Sequence, residues 1–342
     1  MESFFDRALV AARRLGASDV HLKPGLAPIL RIGGELRTLS DVPPLSREFL
    51  QSLGHSLLND RRREQLERTG EVVLATATSN GGRQRVHVFH HRAGLGLSLR
   101  LIPPEPPALD KLGLPAEVRS LTEIGAGLVV IAGGAASGRT TTVAALLDDL
   151  VGQRPIRLLT VEDPVEFLLK DRRGVIVQRE VGTDVPSAGV ALRAAARQDL
   201  DVLAISDVSD PDVAALALDA ARAGRLVIAT LMATDVRDAL DKLAALVGPA
   251  AGPAARTRLG AVLRGVLHQR LVAAGAPGDG RRRTAAGTLW RVTAETRGWI
   301  AAPGDAPQPP GATPFEPDPD APSRKKRAAE PRSAVEDDAL PD

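Results

Sequence analysis

The chain has 342 residues, 44% of them hydrophobic and 25% charged, with a formal net charge of +2 and no cysteine. That length and composition suit two ordinary globular domains, and the lack of cysteine excludes disulfides and thiolate metal sites. Only eight residues are aromatic and positions 1–302 carry a charge of just +6, so the core rests on Ala, Leu and Val and nothing argues for nucleic acid by charge alone.

The first segment, MESFFDRALVAARRLG, spaces its apolar residues as a helix does and carries Glu2 and Asp6 where a secretory leader would be basic. It predicts an amphipathic helix and a cytoplasmic chain. No apolar run in the sequence approaches the roughly 20 residues that cross a bilayer. Next, DVHLKPG and PILRIGGELRTL alternate apolar and polar residues across Pro and Gly turns, as a small antiparallel sheet would. Ser46 to Gly70 is helical by period, and EVVLATATSNGGRQRVHVFHHRAGLGLSLRLIP supplies further strands turned at Asn80-Gly81-Gly82. An α+β domain over 1–103 is expected, then a proline-stiffened linker, PPEPPALD, over about 104–111.

Beyond the linker the pattern changes. GLVVIAG, IRLLTVED, GVIVQREV, DVLAIS and RLVIATL are short continuous apolar runs separated by helical stretches such as TTTVAALLDDL and DPDVAALALDAARAG. Strands without alternation belong in a parallel sheet buried on both faces, so the region 112–275 is expected to be an α/β domain of RecA-like type. RLGAVLRGVLHQRLVAA, 258–274, is expected to continue as helix, with a short unit over 276–302. From 303 to 342 the chain is rich in proline and charge and is expected to be disordered; the run SRKKR within it, like RRR at 281–283, reads as solvated charge.

Within the α/β region, Gly133, Gly134, Ala135, Ala136, Ser137, Gly138, Arg139 and Thr140 match the phosphate-loop pattern G-x-x-x-x-G-[K/R]-[ST], with a strand before and a helix after. Backbone amides and the helix dipole of such a loop cradle phosphates, and the Thr140 hydroxyl reaches toward a Mg²⁺; Thr141 follows in the same turn. Arg139 keeps the positive charge of the usual lysine but replaces a compact ammonium with a longer planar fork. The bland alternative is a glycine-rich turn without a ligand.

ASDVHL, RVHVF with RLIP, the phosphate loop, LTVEDPVEF, VQREV, ALRAAARQDLDVLAISDVSD and AGRLVIATLMAT occur in the order and spacing of the secretion ATPases, and over roughly residues 1–270 the chain resembles their pilus-retraction, PilT-like branch. The resemblance implies a PAS-like N-terminal domain, a RecA-like motor domain, ATP with Mg²⁺ at the cleft between them, and a hexameric ring. It further implies that Glu162, Asp163 and Glu166 help to position metal and water, with Asp163 and Thr140 at the metal, and that Arg100 approaches the nucleotide. A local role for the acidic residues, capping a helix and pairing with arginines, stays open, as does a surface role for Arg100.

The sequence also departs from the family. Ala136 stands where the family has glycine; Asp207 stands where the family's Walker B stretch has glutamate, one methylene longer; and the two family histidines fall on Arg225 and Met232. Loss of one preorganised charge-stabilising group commonly costs about 10² to 10³ in rate. The leading expectation is therefore a divergent subunit that binds ATP weakly and hydrolyses it poorly, serving as regulator or partner in a homo-hexamer or a mixed hexamer at an inner-membrane pilus or secretion platform. The runner-up is a slow but active ATPase that uses Glu162 or Glu166 as base. A nucleic-acid-binding ring is the third reading and lacks clustered basic and aromatic residues. Adjacent His90 and His91 point to opposite sides of a strand and do not form a metal site, and His21 and His87 read as structural.

Overall fold

The computed structural model describes residues 4–39, 42–78, 82–248, 254–273, 283–301 and 308–316. The N-terminal unit comprises α1 (Phe4–Arg14), β1 (Ala17–Leu22), β2 (Ile29–Ile32), β3 (Glu35–Thr38), α2 (Arg47–Ser56), α3 (Asp60–Thr69), β4 (Glu71–Ala77), β5 (Arg83–His91) and β6 (Gly94–Ile102). Its strands pair antiparallel in the order β3-β2-β1-β6-β5-β4. Alternation decides which face is covered: Gln84, Val86 and Val88 of β5 turn inward while Arg83, Arg85 and His87 stay accessible. The helical stretch after Ser46 divides at Asn59, whose side chain accepts from the Arg62 amide at 2.9 Å and starts α3 afresh. Gly70 ends α3 in the left-handed conformation, φ 80°.

Two short 3₁₀ turns, Leu109–Lys111 and Ala116–Leu121, lead into the second unit and bury Leu109, Val118 and Leu121 against its sheet. That unit runs β7 (Gly127–Ala132), α4 (Arg139–Gln153), β8 (Arg157–Glu162), β9 (Val175–Glu180), α5 (Ala188–Ala195), β10 (Val202–Ile205), α6 (Pro211–Arg222), β11 (Leu226–Leu231), α7 (Val236–Val247), α8 (Ala254–Val262), β12 (Leu263–Ala273), β13 (Arg283–Arg291), α9 (Arg297–Ala301) and β14 (Thr313–Phe315). The sheet order is β14-β13-β12-β7-β11-β10-β8-β9, parallel from β12 to β9 and antiparallel at β13 and β14. Every residue of β7, β10 and β11 is buried, as helices on both faces require.

Two expectations are corrected. The helix expected over 258–274 ends at Val262, and β12 follows, parallel to β7. Its run of buried residues, Leu263, Gly265, Val266 and Leu267, lacks the alternation that marks a half-exposed strand, so periodicity alone could not separate it from a buried helix. The stretch from 303, expected to be disordered, contains β14, which adds to the edge of β13; Trp290 Nε1 donates to the Pro310 carbonyl at 3.1 Å and Arg270 pairs with Glu316 at 2.9 Å. A segment too poor in apolar residues for its own core borrows one here. The turn at Ser79 to Gly81, Arg281 and Arg282, and the run at 323–327 lie outside the described residues.

Candidate phosphate-binding site

β7 delivers the glycine-rich loop to the carboxyl end of the sheet, where Ala132 lies opposite Leu231 of β11 and His268 of β12. The loop needs its glycines. Gly133 has φ 156°, and a Cβ there would come within 2.3 Å of the Gln269 carbonyl oxygen; Gly138 caps α4 at φ 90°. Ala136 sits at φ 57°, in the left-handed region, where a side chain costs about 1 kcal/mol relative to glycine. Gly134 and Ala135 are exposed on the loop's outer side, and the buried Ser137 joins them to the cap. The fifteen residues of α4 then begin at Arg139, so the positive end of a long helix faces the loop.

Arg139 is half-buried and forms no hydrogen bond or ion pair with the described residues. Burial draws its pKa down, and the negative charge of Asp207 works in the opposite direction. Asp207 itself is exposed on the turn after β10 and accepts from the Ser209 hydroxyl, while Asp210 is occupied as the cap of α6.

Beneath the loop, Thr140, Thr160, Glu162, Gln178, Ser206 and Thr230 meet around a cavity of about 30 Å³, room for a water molecule. Glu162 accepts from Thr160 Oγ1 at 2.6 Å and from Gln178 Nε2 at 3.0 Å. Burial pushes its pKa up, opposed by those two hydrogen bonds and reinforced by the negative charges of Glu166 and Glu180. Thr141, half-buried one residue further along α4, does not line this cavity.

The acidic segment does not act as one cluster. Asp163 turns to a separate cleft of about 1040 Å³ between the two units, where desolvation raises its pKa, Arg62 opposes and Glu180 adds to the rise. Glu166 is buried and pairs with Arg85 of β5 at 2.8 Å. Thr140 and Glu162 therefore share a cavity, whereas Asp163 and Glu166 belong to the junction between units. Thr140 with Glu162 is an all-oxygen donor pair of the kind Mg²⁺ takes, and among the described residues no cluster of three carboxylates or histidines forms.

Arg100 lies in β6, 4.0 Å from Asp19. Among the arginines that reach the motor unit, besides Arg61 and Arg62, are Arg83, which donates to the Val165 carbonyl at 2.6 Å and the Glu166 carbonyl at 3.3 Å, and Arg85, which pairs with Glu166. The i, i+2 spacing of Arg83 and Arg85 in RQRVHVF put both on one strand face, a signal legible in the sequence. The other groups missed from sequence are Gln269 and His268, both on the strand read as helix; His268 is held below its usual pKa by burial, against the pull of Asp235. Met232, 51% exposed, directly follows β11, whose last residue Leu231 pairs with Ala132 before the loop. Arg225 precedes β11 at the opposite end, roughly 20 Å away along the strand, and donates to the carbonyls of Ala196 and Gln198 below α5.

A mostly parallel sheet with helices on both faces and a glycine-rich loop feeding a helix N-terminus defines a RecA-like, phosphate-loop α/β protein. A family model described as type II/IV secretion system protein matches residues 2–290, and the chain belongs to that family. It is 32% identical to the type IV pilus retraction ATPase PilT of Pseudomonas aeruginosa over 264 residues, 77% of this chain and 76% of that protein. It is 34% identical to the uncharacterised protein YggR of Escherichia coli over 254 residues, 74% and 77% of the two chains. Among solved structures, the pilus retraction motor PilT with bound ADP superposes with a TM-score of 0.78 at 33% identity, covering 88% of this chain and 86% of that one. The ATPase DotB of Legionella pneumophila, TM-score 0.76 at 23% identity over 88% and 86%, shares the fold.

Proposed function

We propose that this chain is a PilT-like motor subunit that binds ATP weakly and, alone, turns it over poorly or not at all, acting as regulator or partner subunit of a pilus or secretion machine. The single observation that carries the reading is the mismatch at the phosphate loop. Its backbone cradle is complete, with Gly133, Gly138 and the α4 N-terminus in place, and most phosphate contacts in such loops come from backbone amides. The charged and proton-handling positions around it are Arg139, the short and exposed Asp207, and Met232, which offers no proton at all. Mg²⁺, if bound, would neutralise phosphate charge, and Thr140 and Glu162, which line one cavity, are the residues that would hold it. The subunit would assemble as a ring with its own copies or with a related ATPase, docked on a platform protein at the inner face of the cytoplasmic membrane. Among the described residues no helix is long and apolar enough to cross that membrane itself.

One observation favours a second reading, a slow ATPase: Glu162 shares a cavity with Thr140, and burial raises its pKa, the direction that makes a carboxylate a better general base. Calorimetry with ATP and Mg²⁺, followed by steady-state phosphate release, separates them. Binding without turnover is expected; robust turnover by the chain alone would establish the slow enzyme, and no binding at high micromolar protein would refute both.

A further inference from the structure

Ala136 occupies the left-handed region at φ 57°, and a non-glycine residue stays there only where its surroundings fix it. The group that fixes it comes from β12. Gln269, 1% exposed, donates from Nε2 to the carbonyl oxygen of Ser137, the residue directly after Ala136, at 2.8 Å. The same residue presses on both glycine ends of the loop: its carbonyl oxygen is 2.3 Å from the place of a Cβ on Gly133, and its Nε2 is 3.1 Å from one on Gly138. β12 can carry Gln269 to this point because its partner in β13 is Gly287, where a Cβ would lie 1.9 Å from the His268 carbonyl oxygen.

We propose that Gln269 is the positioning residue of the phosphate loop, holding the strained turn at Ala136 in its anion-binding shape. A glutamine present only to fill the core would use both ends of its amide. Here Oε1 is buried with no hydrogen-bond partner among the described residues, a loss that an apolar side chain of equal size would avoid. What the amide provides that an apolar side chain cannot is the single bond to the loop. For ligand binding the proposal rests on the nucleotide-binding reading above; for loop conformation it stands alone.

The test compares the full chain with Gln269→Met, which keeps the side-chain length and removes the donor, with Ala136→Gly, and with the double variant. Hydrogen exchange of the loop amides at 133–142 is measured without ligand, and affinities for Mg²⁺-ATP and for inorganic pyrophosphate by calorimetry. Gln269→Met should speed loop exchange about fivefold, the worth of one hydrogen bond, with the melting temperature nearly unchanged. It should weaken both ligands by the same factor, because the effect lies in the loop and not at the base. Ala136→Gly should recover most of that loss in the double variant and add little to the parent, whose loop is already held, since affinity scales with the fraction of competent protein. Unchanged loop exchange in Gln269→Met overturns the proposal whether or not any ligand binds. A loss of affinity that Ala136→Gly leaves untouched overturns it as well. Should the parent bind neither ligand, the nucleotide reading fails and loop exchange alone decides the role of Gln269.

Discussion

Arg62 joins the two units of the chain through a buried ion pair, and replacing it with methionine should loosen them. Its guanidinium meets Glu180 at 2.6 Å with side chains only 4% and 11% exposed, and it also donates to the Val73 carbonyl at 2.6 Å and to Thr183 Oγ1 at 3.1 Å. Val73 belongs to the N-terminal sheet, while Glu180 ends β9 and accepts from the Val165 amide at 3.0 Å, so the arginine ties α3 to the acidic segment. Removing one partner of a buried pair costs about 3 to 5 kcal/mol because a charge is left behind without its counterpart. Glu180 keeps bonds from Thr183 Oγ1 at 2.9 Å and from Val165, which sets the expectation at the low end, about 3 kcal/mol. At roughly 2 °C per kcal/mol for a chain of this size, the first calorimetric transition should fall by about 6 °C. Arg62→Met with Glu180→Met should recover most of the loss, since an apolar pair of similar volume is often as stable as the buried ions. A shift below about 1 °C in Arg62→Met, or a double variant no better than the single, would refute the view that this pair fastens the units.

Further outcomes follow from the same geometry. Gly133→Ala should destabilise the loop by about 2 kcal/mol or more, because its Cβ would meet backbone at 2.3 Å, whereas Gly134→Ala, with nothing within 4 Å, should change stability by less than about 0.5 kcal/mol in parallel melts. Glu162 has its folded pKa raised by burial, so the stability it contributes is complete below the ordinary carboxylate pKa and is lost as pH rises through the folded value. Thermal melts across pH 4 to 8 should therefore show Glu162→Gln gaining on the parent toward the upper end, and parallel curves would contradict the burial argument. For hydrolysis, Arg139→Lys or Asp207→Glu alone should restore little phosphate release, and the two with Met232→His should restore much more, because groups that act as a unit are not additive. Arg225→His should add nothing to that triple variant and should lower the melting temperature, since Arg225 sits at the far end of β11 and its work is at α5.

Much of this protein was legible along the chain because its signals are local. A continuous apolar run, two glycines and a small-residue loop before TTTVAALL specify a strand, a tight turn and a helix within some 20 residues, and α4 starts at Arg139 as that pattern demands. Alternation in RQRVHVF likewise gave a strand with one buried face. What the sequence left open depends on partners far away in it. The run VLRGVLHQRLV suits a buried strand and a buried helix equally, and only pairing with β7 and β13 decides for a strand, so Gln269 and its bond to Ser137, 132 residues away, could not be foreseen. Glu162, Asp163 and Glu166 read as one acidic box, yet the end of β8 sends the first under the loop, the second to the cleft and the third to Arg85. Chain proximity fixes which residues are neighbours in a strand or turn; which side each carboxylate faces, and whether water or an arginine waits there, is set only when the two units pack.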